Sequence, residues 1–295
     1  MSNRQYIGVD IGGTAIKMCC FDLDGILISE KEILTPQPPI PGAVVVALCE
    51  GVEELDPNHI AENVGISLPG PTNSDFRVAR LCINLPGWID IPLADWLESR
   101  LNRKVTLAND GNCALLGEAW KGAAQGFQNI VLLTLGTGVG GGVMLDGNLF
   151  LGHNGVAAEP GLISLWPNGP SCNSGNQGSL EQYANVQAIK RLSGSDPFVL
   201  FDRAEKGDKK ALTYWKEYGR NLGIGISSLI YLFTPELVLI GGGISYSSQY
   251  FLPSAISEIS KRVHPISRED LIISPCKLGN TAGCFGAALT AIQRL

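Results

Sequence analysis

Charge is scarce in this chain. Asp, Glu, Lys and Arg make up 17% of its 295 residues, too little to build long disordered tails. No basic run stands out and the net charge is −6, so the electrostatic footprint of a nucleic-acid-binding protein is missing. Histidine is rare: His59, His153 and His264 are the only three, and no pair has metal-ligand spacing. The eight cysteines contain no C-x-x-C. Scattered through apolar segments of a long chain, they read as reduced, partly buried thiols in the cytosol, not as a secreted disulfide framework. The longest apolar stretch, Leu222 to Phe233, is broken by glycines and serines and stopped by Pro235. It falls short of the ~20 residues of a membrane span. No signal peptide precedes the first strand, which begins by Tyr6. A Walker phosphate loop is absent as well.

Glycine, by contrast, is abundant, with 36 residues clustered after apolar runs. Two of those clusters share one pattern. Tyr6-Ile7-Gly8-Val9 runs into Asp10-Ile11-Gly12-Gly13-Thr14, then Ile16-Lys17-Met18 and the turn Asp22-Leu23-Asp24-Gly25. Ile130 to Leu135 runs into Gly136-Thr137-Gly138-Val139-Gly140-Gly141-Gly142, then Val143-Met144-Leu145 and the turn Asp146-Gly147. Each reads as strand, tight turn, strand, tight turn. Glycines let backbone N–H groups come close to a phosphate, and threonine adds a hydroxyl donor. Two such hairpins suggest two halves of the protein clamping one polyphosphate, which points to ATP. The run Gly136 to Gly141 also spells G-x-G-x-x-G, but a strand follows it where a dinucleotide fingerprint needs a helix. Neither H-R-D nor D-F-G occurs, which removes the protein-kinase glycine loop.

Strands alternate with helices, as in an α/β protein. Helices are expected over Gly42 to Leu55, from Pro92, over Cys113 to Ala124, Leu180 to Leu192 and Lys209 to Phe233, and from about Ala282. Strands are expected at Val64–Leu68, Val105–Ala108, Leu237–Ile240 and near Leu271. The segment from about Gly147 to Ser179 is rich in Gly, Pro, Asn and Ser, and an irregular loop of that length is usually functional. A length of 295 residues suits about two domains. We expect a smaller first domain over 1–121, with a helix over about 284–295 packing back on it, and a larger second domain over 122–283.

Four groups of residues can carry chemistry. Asp10 ends an apolar strand against a glycine turn, where an acid can hold Mg²⁺ through water beside phosphates; it can equally bond its own turn. Asp110 lies between a strand and a helix. It can cap the helix, as Asn109 or Asn112 also can, or accept the proton of a substrate hydroxyl that attacks phosphorus. Gly241-Gly242-Gly243 follows a buried strand and would let adenine or ribose approach the backbone, or simply turn the chain. Glu159 and Glu181 flank the irregular loop, and His153 lies near it; the glutamates suit sugar hydroxyls, or stand as solvated surface acids.

Taken in order, these motifs resemble the ROK family of bacterial sugar kinases, within the actin-like ATPase superfamily. The resemblance covers nearly the whole chain: Gly8 to Thr14, Leu68-Pro69-Gly70-Pro71, Asn84-Leu85-Pro86-Gly87-Trp88, Asn109-Asp110-Gly111-Asn112, Leu135 to Gly142, Ile240 to Gly243 and Gly279 to Gly283. The Asn84 to Trp88 segment is most similar to the glucokinase branch. The resemblance implies a two-domain actin-like ATPase (ribonuclease H-like) fold with a cleft between domains. It implies ATP and Mg²⁺ as cofactors, and phosphorylation of a hexose, glucose foremost, at the 6-hydroxyl. Fructose, mannose or an N-acetylhexosamine as acceptor, polyphosphate as donor, and a catalytically idle sugar sensor are its alternatives. Asp110 would be the base. Gly70, Asn84, Asn109, Glu159 and Glu181 would bind sugar. Asp10, Gly12, Gly13, Thr14, Lys17, Gly136, Thr137, Gly138 and Gly241 to Gly243 would face the nucleotide. A homodimer is implied too.

The chain departs from that family at its zinc motif. The usual E-x-G-H reads Glu159-Pro160-Gly161-Leu162, and the usual C-x-C-G-x-x-G-C reads Cys172-Asn173-Ser174-Gly175-Asn176-Gln177-Gly178-Ser179. Leucine cannot ligate a metal, and serine is a poor zinc ligand beside thiolate. No structural zinc is therefore expected. Elemental analysis of the purified protein should give well under one zinc per chain; one tightly held zinc per chain would refute the expectation.

Overall fold

The computed structural model describes residues 4–82 and 85–293. In chain order its elements are β1 (Gln5–Ile11), β2 (Ala15–Asp22), β3 (Leu27–Leu34), α1 (Pro41–Leu55), β4 (Ala61–Leu68), β5 (Ala79–Leu81), β6 (Ile89–Ile91), α2 (Leu93–Leu101), β7 (Lys104–Asn109) and α3 (Asp110–Lys121). There follow β8 (Ile130–Leu135), β9 (Val139–Leu145), β10 (Asn148–Leu149), α4 (Glu181–Ala184), α5 (Val186–Ser193), α6 (Pro197–Glu205), α7 (Lys209–Phe233), β11 (Leu237–Gly241), α8 (Ser248–Arg262), β12 (Ile272–Pro275) and α9 (Ala282–Gln293). They fall into two compact units. One comprises Met1–Gly126, Phe150–Ala157 and Lys277–Leu295; the other comprises Phe127–Leu149 and Ala158–Cys276.

The first unit's main sheet has the order β3-β2-β1-β4-β7, and the second unit's has the order β10-β9-β8-β11-β12. In each, the first three strands form an antiparallel meander and the last two join the first strand in parallel. The two glycine turns thus occupy the same place in both sheets, between first and second strands. This repeated order is the ribonuclease H-like topology of the actin-like ATPases.

Strand pleating decides what covers each face of the first sheet. Alternate residues Ile7, Val9 and Ile11 of β1 enter a core with Val44, Leu48 and Val52 of α1 and Leu93, Leu97 and Leu101 of α2. On the opposite face, Gly8 of β1 is register-paired with Gly65 of β4. There α9 lies almost on the backbone: a Cβ at Gly8 would sit 1.9 Å from the Cys284 carbonyl, and one at Gly65 would sit 1.7 Å from that of Ala287. On the helix side, Gly286 meets α3 as closely, 1.8 Å from the Cys113 carbonyl. The fully buried Glu118 of α3 fastens the approach to α9, its carboxylate accepting N–H bonds from Ala123, Lys277 and Leu278 at 2.7–2.9 Å.

The second unit buries an aromatic group, Trp215 and Tyr218 of α7 against Phe251 of α8, with ring centroids 5.1–6.0 Å apart. The helix expected over Leu180 to Leu192 is two helices. Asn185 leaves the helical region (φ −96°, ψ 173°) and its side chain caps α5 by accepting the Ala188 N–H at 2.7 Å. The helix expected from Cys113 starts three residues earlier, at Asp110. No helix is long and apolar enough to cross a membrane, among the described residues.

Replacing Gly65 by Ala should lower stability by about 1–3 kcal/mol, the range for overpacking, because the methyl would strike main chain. Gly42→Ala, in α1 with open space around it, should be neutral or stabilising. Thermal melts of both variants check the pair.

Candidate active site

Three strand ends of the first unit converge because β1, β4 and β7 are parallel and adjacent; the carboxyl ends of such strands are where α/β folds bind ligands. At the end of β1, the Gly12-Gly13-Thr14 turn ties its carbonyls inward. Gly12 O accepts from Thr35 Oγ1 at 2.7 Å, Gly13 O from Gln37 Nε2 at 3.3 Å and Thr14 O from Thr35 N at 3.0 Å. Gly13 and Thr14 are exposed, and their amides meet no acceptor among the described residues. Outward amides on such a turn make an anion-binding concavity.

Asp10 sits beside this turn, half-buried. Its Oδ1 accepts the hydroxyl of the buried Ser67 of β4 at 2.6 Å. Burial pushes its carboxyl above the ordinary aspartate range, opposed by the Ser67 bond and then by the Lys17 charge. Lys17 stands opposite Asp10 in register and pairs loosely with Glu32, 3.8 Å away. The carboxylate also lies 2.6–2.8 Å from where a side chain on Gly283 would begin, so only glycine leaves it room at the start of α9.

At the end of β7, Asn109 is the cap of α3. Its Oδ1 accepts from Gly111 N at 2.9 Å and Asn112 N at 3.2 Å. Its Nδ2 donates to Asp110 Oδ1 at 3.0 Å and toward Gly70 O at 3.4 Å. Asp110, the first residue of the helix, is therefore not the cap. It is exposed, and Gly111 N also donates to its Oδ1 at 2.8 Å. The buried Cys113 thiol lies within reach of both acids: burial, and then the charge of Asp10, push it well up, with Asp110 adding to the rise. Gly70, Asn109, Asp110 and Asp10 thus share one end of the first sheet. Asn84 lies outside the described residues. His153 is exposed.

In the second unit, Gly136 N donates to Gly138 O at 2.9 Å, closing the turn, and Thr137 is exposed at its tip. The Gly241–Gly243 turn adjoins it. Gly242, at φ +79°, packs so closely on Leu135 that a Cβ would sit 2.4 Å from the Leu135 carbonyl. The parallel pairing of β8 with β11 brings these turns to one end of the sheet. Glu181 opens α4, and its Oε2 accepts Val139 N, just past the glycine turn, at 2.9 Å. Glu159 is exposed at its surface. The protein around it, and then the Glu181 charge, hold its carboxyl above the ordinary glutamate range.

The irregular segment is more ordered than its composition implies. Isolated bridges join Ser164 to Ser179 and Ser171 to Gln177. The Asn176 amide donates to Leu162 O at 2.8 Å and meets Ser164 Oγ at 3.1 Å. Burial pushes the Cys172 thiol up, but the hydroxyls of Ser174 and Ser179 outweigh it and hold the thiol below its ordinary value.

The profile of the ROK family matches residues 6–294. This chain belongs to the ROK family. The glucokinase of Thermotoga maritima is 34% identical over 317 aligned positions, covering 100% of this chain and 99% of its own. Among solved structures, a ROK family glucokinase from Streptomyces griseus, in complex with glucose and AMPPNP, superposes with a TM-score of 0.85 at 32% identity, over 98% of this chain and 99% of that one. A ROK hexokinase from Thermus thermophilus superposes with a TM-score of 0.85 at 34% identity, over 98% of both chains.

Two contributions in this ROK chain escaped the sequence pattern. Ser67, which holds Asp10, precedes the Leu68-Pro69-Gly70 motif without a signal of its own. The Glu181–Val139 bond joins residues 42 positions apart, and only the fold makes them neighbours. Asn109→Ala should cost about 1 kcal/mol of stability, as for a lost cap. It should also reduce turnover by freeing the Asp110 carboxylate; thermal melts and steady-state kinetics read the two effects separately.

Proposed function

We propose that this ROK protein transfers the γ-phosphoryl group of ATP to the 6-hydroxyl of a hexose, glucose first. The observation that carries the reading is Asp110. It stands at the N-terminus of α3, relieved of capping by Asn109, with Oδ1 held by two N–H donors at the same sheet end as Asp10. A carboxylate so held is oriented, as a base for a hydroxyl must be. The naming of similar proteins as glucokinases and a hexokinase supports the acceptor class.

In this reading Asp110 accepts the proton of the 6-hydroxyl as that oxygen attacks phosphorus, while Gly70, Asn84, Asn109, Glu159 and Glu181 orient the sugar. Amides of Gly13 and Thr14, and of the Gly136–Gly138 turn, donate to phosphate oxygens and stabilise the charge that grows on them. Gly12 and Gly241 to Gly243 keep side chains out of the nucleotide's way, and Lys17 adds positive charge. Asp10 is a hard oxygen donor of the kind magnesium prefers, acting through water, and the ion would neutralise phosphate charge. Leu162, Cys172, Ser174 and Ser179 are a poor zinc set, with one thiolate among them. We propose that Asn176 and the backbone bonds around it hold this loop without zinc. The eight free thiols suit the cytosol, where we expect a homodimer.

Asp110→Asn should leave glucose affinity within about threefold while turnover falls about a hundredfold or more, the scale of lost general-base help. Calorimetry with glucose and a coupled assay for ADP release give the two numbers. Near-normal turnover would remove Asp110 as the base. The same assay run over a panel of hexoses, and with polyphosphate in place of ATP, tests acceptor and donor.

A further inference from the structure

Glu181 does more in the second unit than binding a sugar hydroxyl requires. Its Oε2 accepts Val139 N at 2.9 Å. It also occupies the space beside Gly138, 2.6 Å from where a Cβ would be. Gly138 and Val139 are the return side of the glycine turn. The outgoing side is held from the same stretch of chain, since Gly136 O accepts Val186 N at 2.9 Å. The other carboxylate oxygen, Oε1, faces the Cys172 thiol at 3.8 Å. The turn assigned to phosphate and the loop assigned to sugar therefore meet at one side chain.

A carboxylate offers about four lone-pair sites. Val139 and Cys172 occupy two of them, so hydroxyl donors can be taken without releasing the turn. Without a sugar, Glu181 also stands close enough to Glu159 for its charge to disfavour ionisation there. The repulsion of like charges held this close raises the free energy of the pair. A sugar hydroxyl donating to the pair relieves it and locks the Glu181 rotamer, and with it the Val139 bond.

We infer that Glu181 is a positioning residue that couples the two substrates, because the carboxylate that receives the sugar is the one that shapes the phosphate turn. The inference rests on the sugar-phosphorylating reading above. A turn already ordered by sugar costs the nucleotide less entropy to bind. By reciprocity, the nucleotide tightens sugar binding by the same factor.

Isothermal titration calorimetry with a non-hydrolysable ATP analogue and Mg²⁺, with and without saturating glucose, measures that factor. The unsubstituted protein should bind the analogue about tenfold tighter or more with glucose present, within the usual range of coupling. Gly138→Ala adds a methyl where Glu181 Oε2 lies, so the carboxylate must shift off the Val139 amide. The coupling should then fall below about twofold, with each ligand's affinity measured alone as the reference. Glu181→Gln, which keeps the shape but loses the charge, should cut the coupling by about threefold or more, and it carries the test if Gly138→Ala fails to fold. A purely structural role would lower melting temperature and both affinities but leave their coupling unchanged. Coupling near one in the unsubstituted protein, or unchanged in the variants, overturns the inference even where glucose is phosphorylated. Failure of the unsubstituted protein to bind either ligand overturns it together with the reading beneath it.

Discussion

In the first unit, everything near the candidate base depends on how closely α9 lies on the sheet. Gly8 and Gly65, side by side on β1 and β4, open a groove with no side chains, and the carbonyls of Cys284 and Ala287 descend into it. The helix must be small-faced in return, and Ala282, Gly283, Gly286, Ala287 and Ala288 make it so. This contact sets where α3 sits, through Gly286 and Gly117. It also presses Gly283 against Asp10. A side chain larger than hydrogen at Gly8, Gly65, Gly117 or Gly286 would have to move backbone, and one at Gly283 would have to move the Asp10 carboxylate.

The same plan occurs twice, but the two units use it differently. In the first, the glycine turn is tied inward by Thr35 and Gln37, both from the segment after β3. In the second, the equivalent turn is tied by α4 and the start of α5, through Glu181 and Val186. An acid beneath a turn proposed to take phosphate looks electrostatically wrong, since like charges repel. The Val139 N–H donates to that carboxylate, so part of its charge is met within the turn itself.

The loop between Leu162 and Glu181 shows how hydrogen bonds can do a fastening task. Asn176 spans Leu162 and Ser164 with one amide group, and the Gly178 carbonyl receives the N–H groups of both Leu165 and Trp166. Gly178 itself, at φ +59°, allows the close return against Trp166. Each bond contributes roughly 0.5–1.5 kcal/mol, against about 1–2 kcal/mol of backbone entropy per ordered residue, so these bonds offset part of the cost of ordering the loop and packing must supply the rest.

Local pattern determined a good deal here. Apolar alternation and glycine turns made both hairpins legible, and the composition argued against membrane, nucleic-acid and disulfide-framework classes. Asp10 stood out beside a glycine turn and Asp110 between a strand and a helix, each with an ordinary turn or cap as its alternative until the order of motifs was considered. What tertiary structure decided is what depends on distant residues meeting. Asn109, not Asp110, takes the cap of α3. Asn185 breaks one helical pattern into two. Ser67 holds Asp10 from a neighbouring strand, and Glu181 reaches Val139 across 42 positions. Periodicity reports which face of an element is buried, but it carries no information on which partner that face meets. Hydrogen bonds between elements depend on that partner alone.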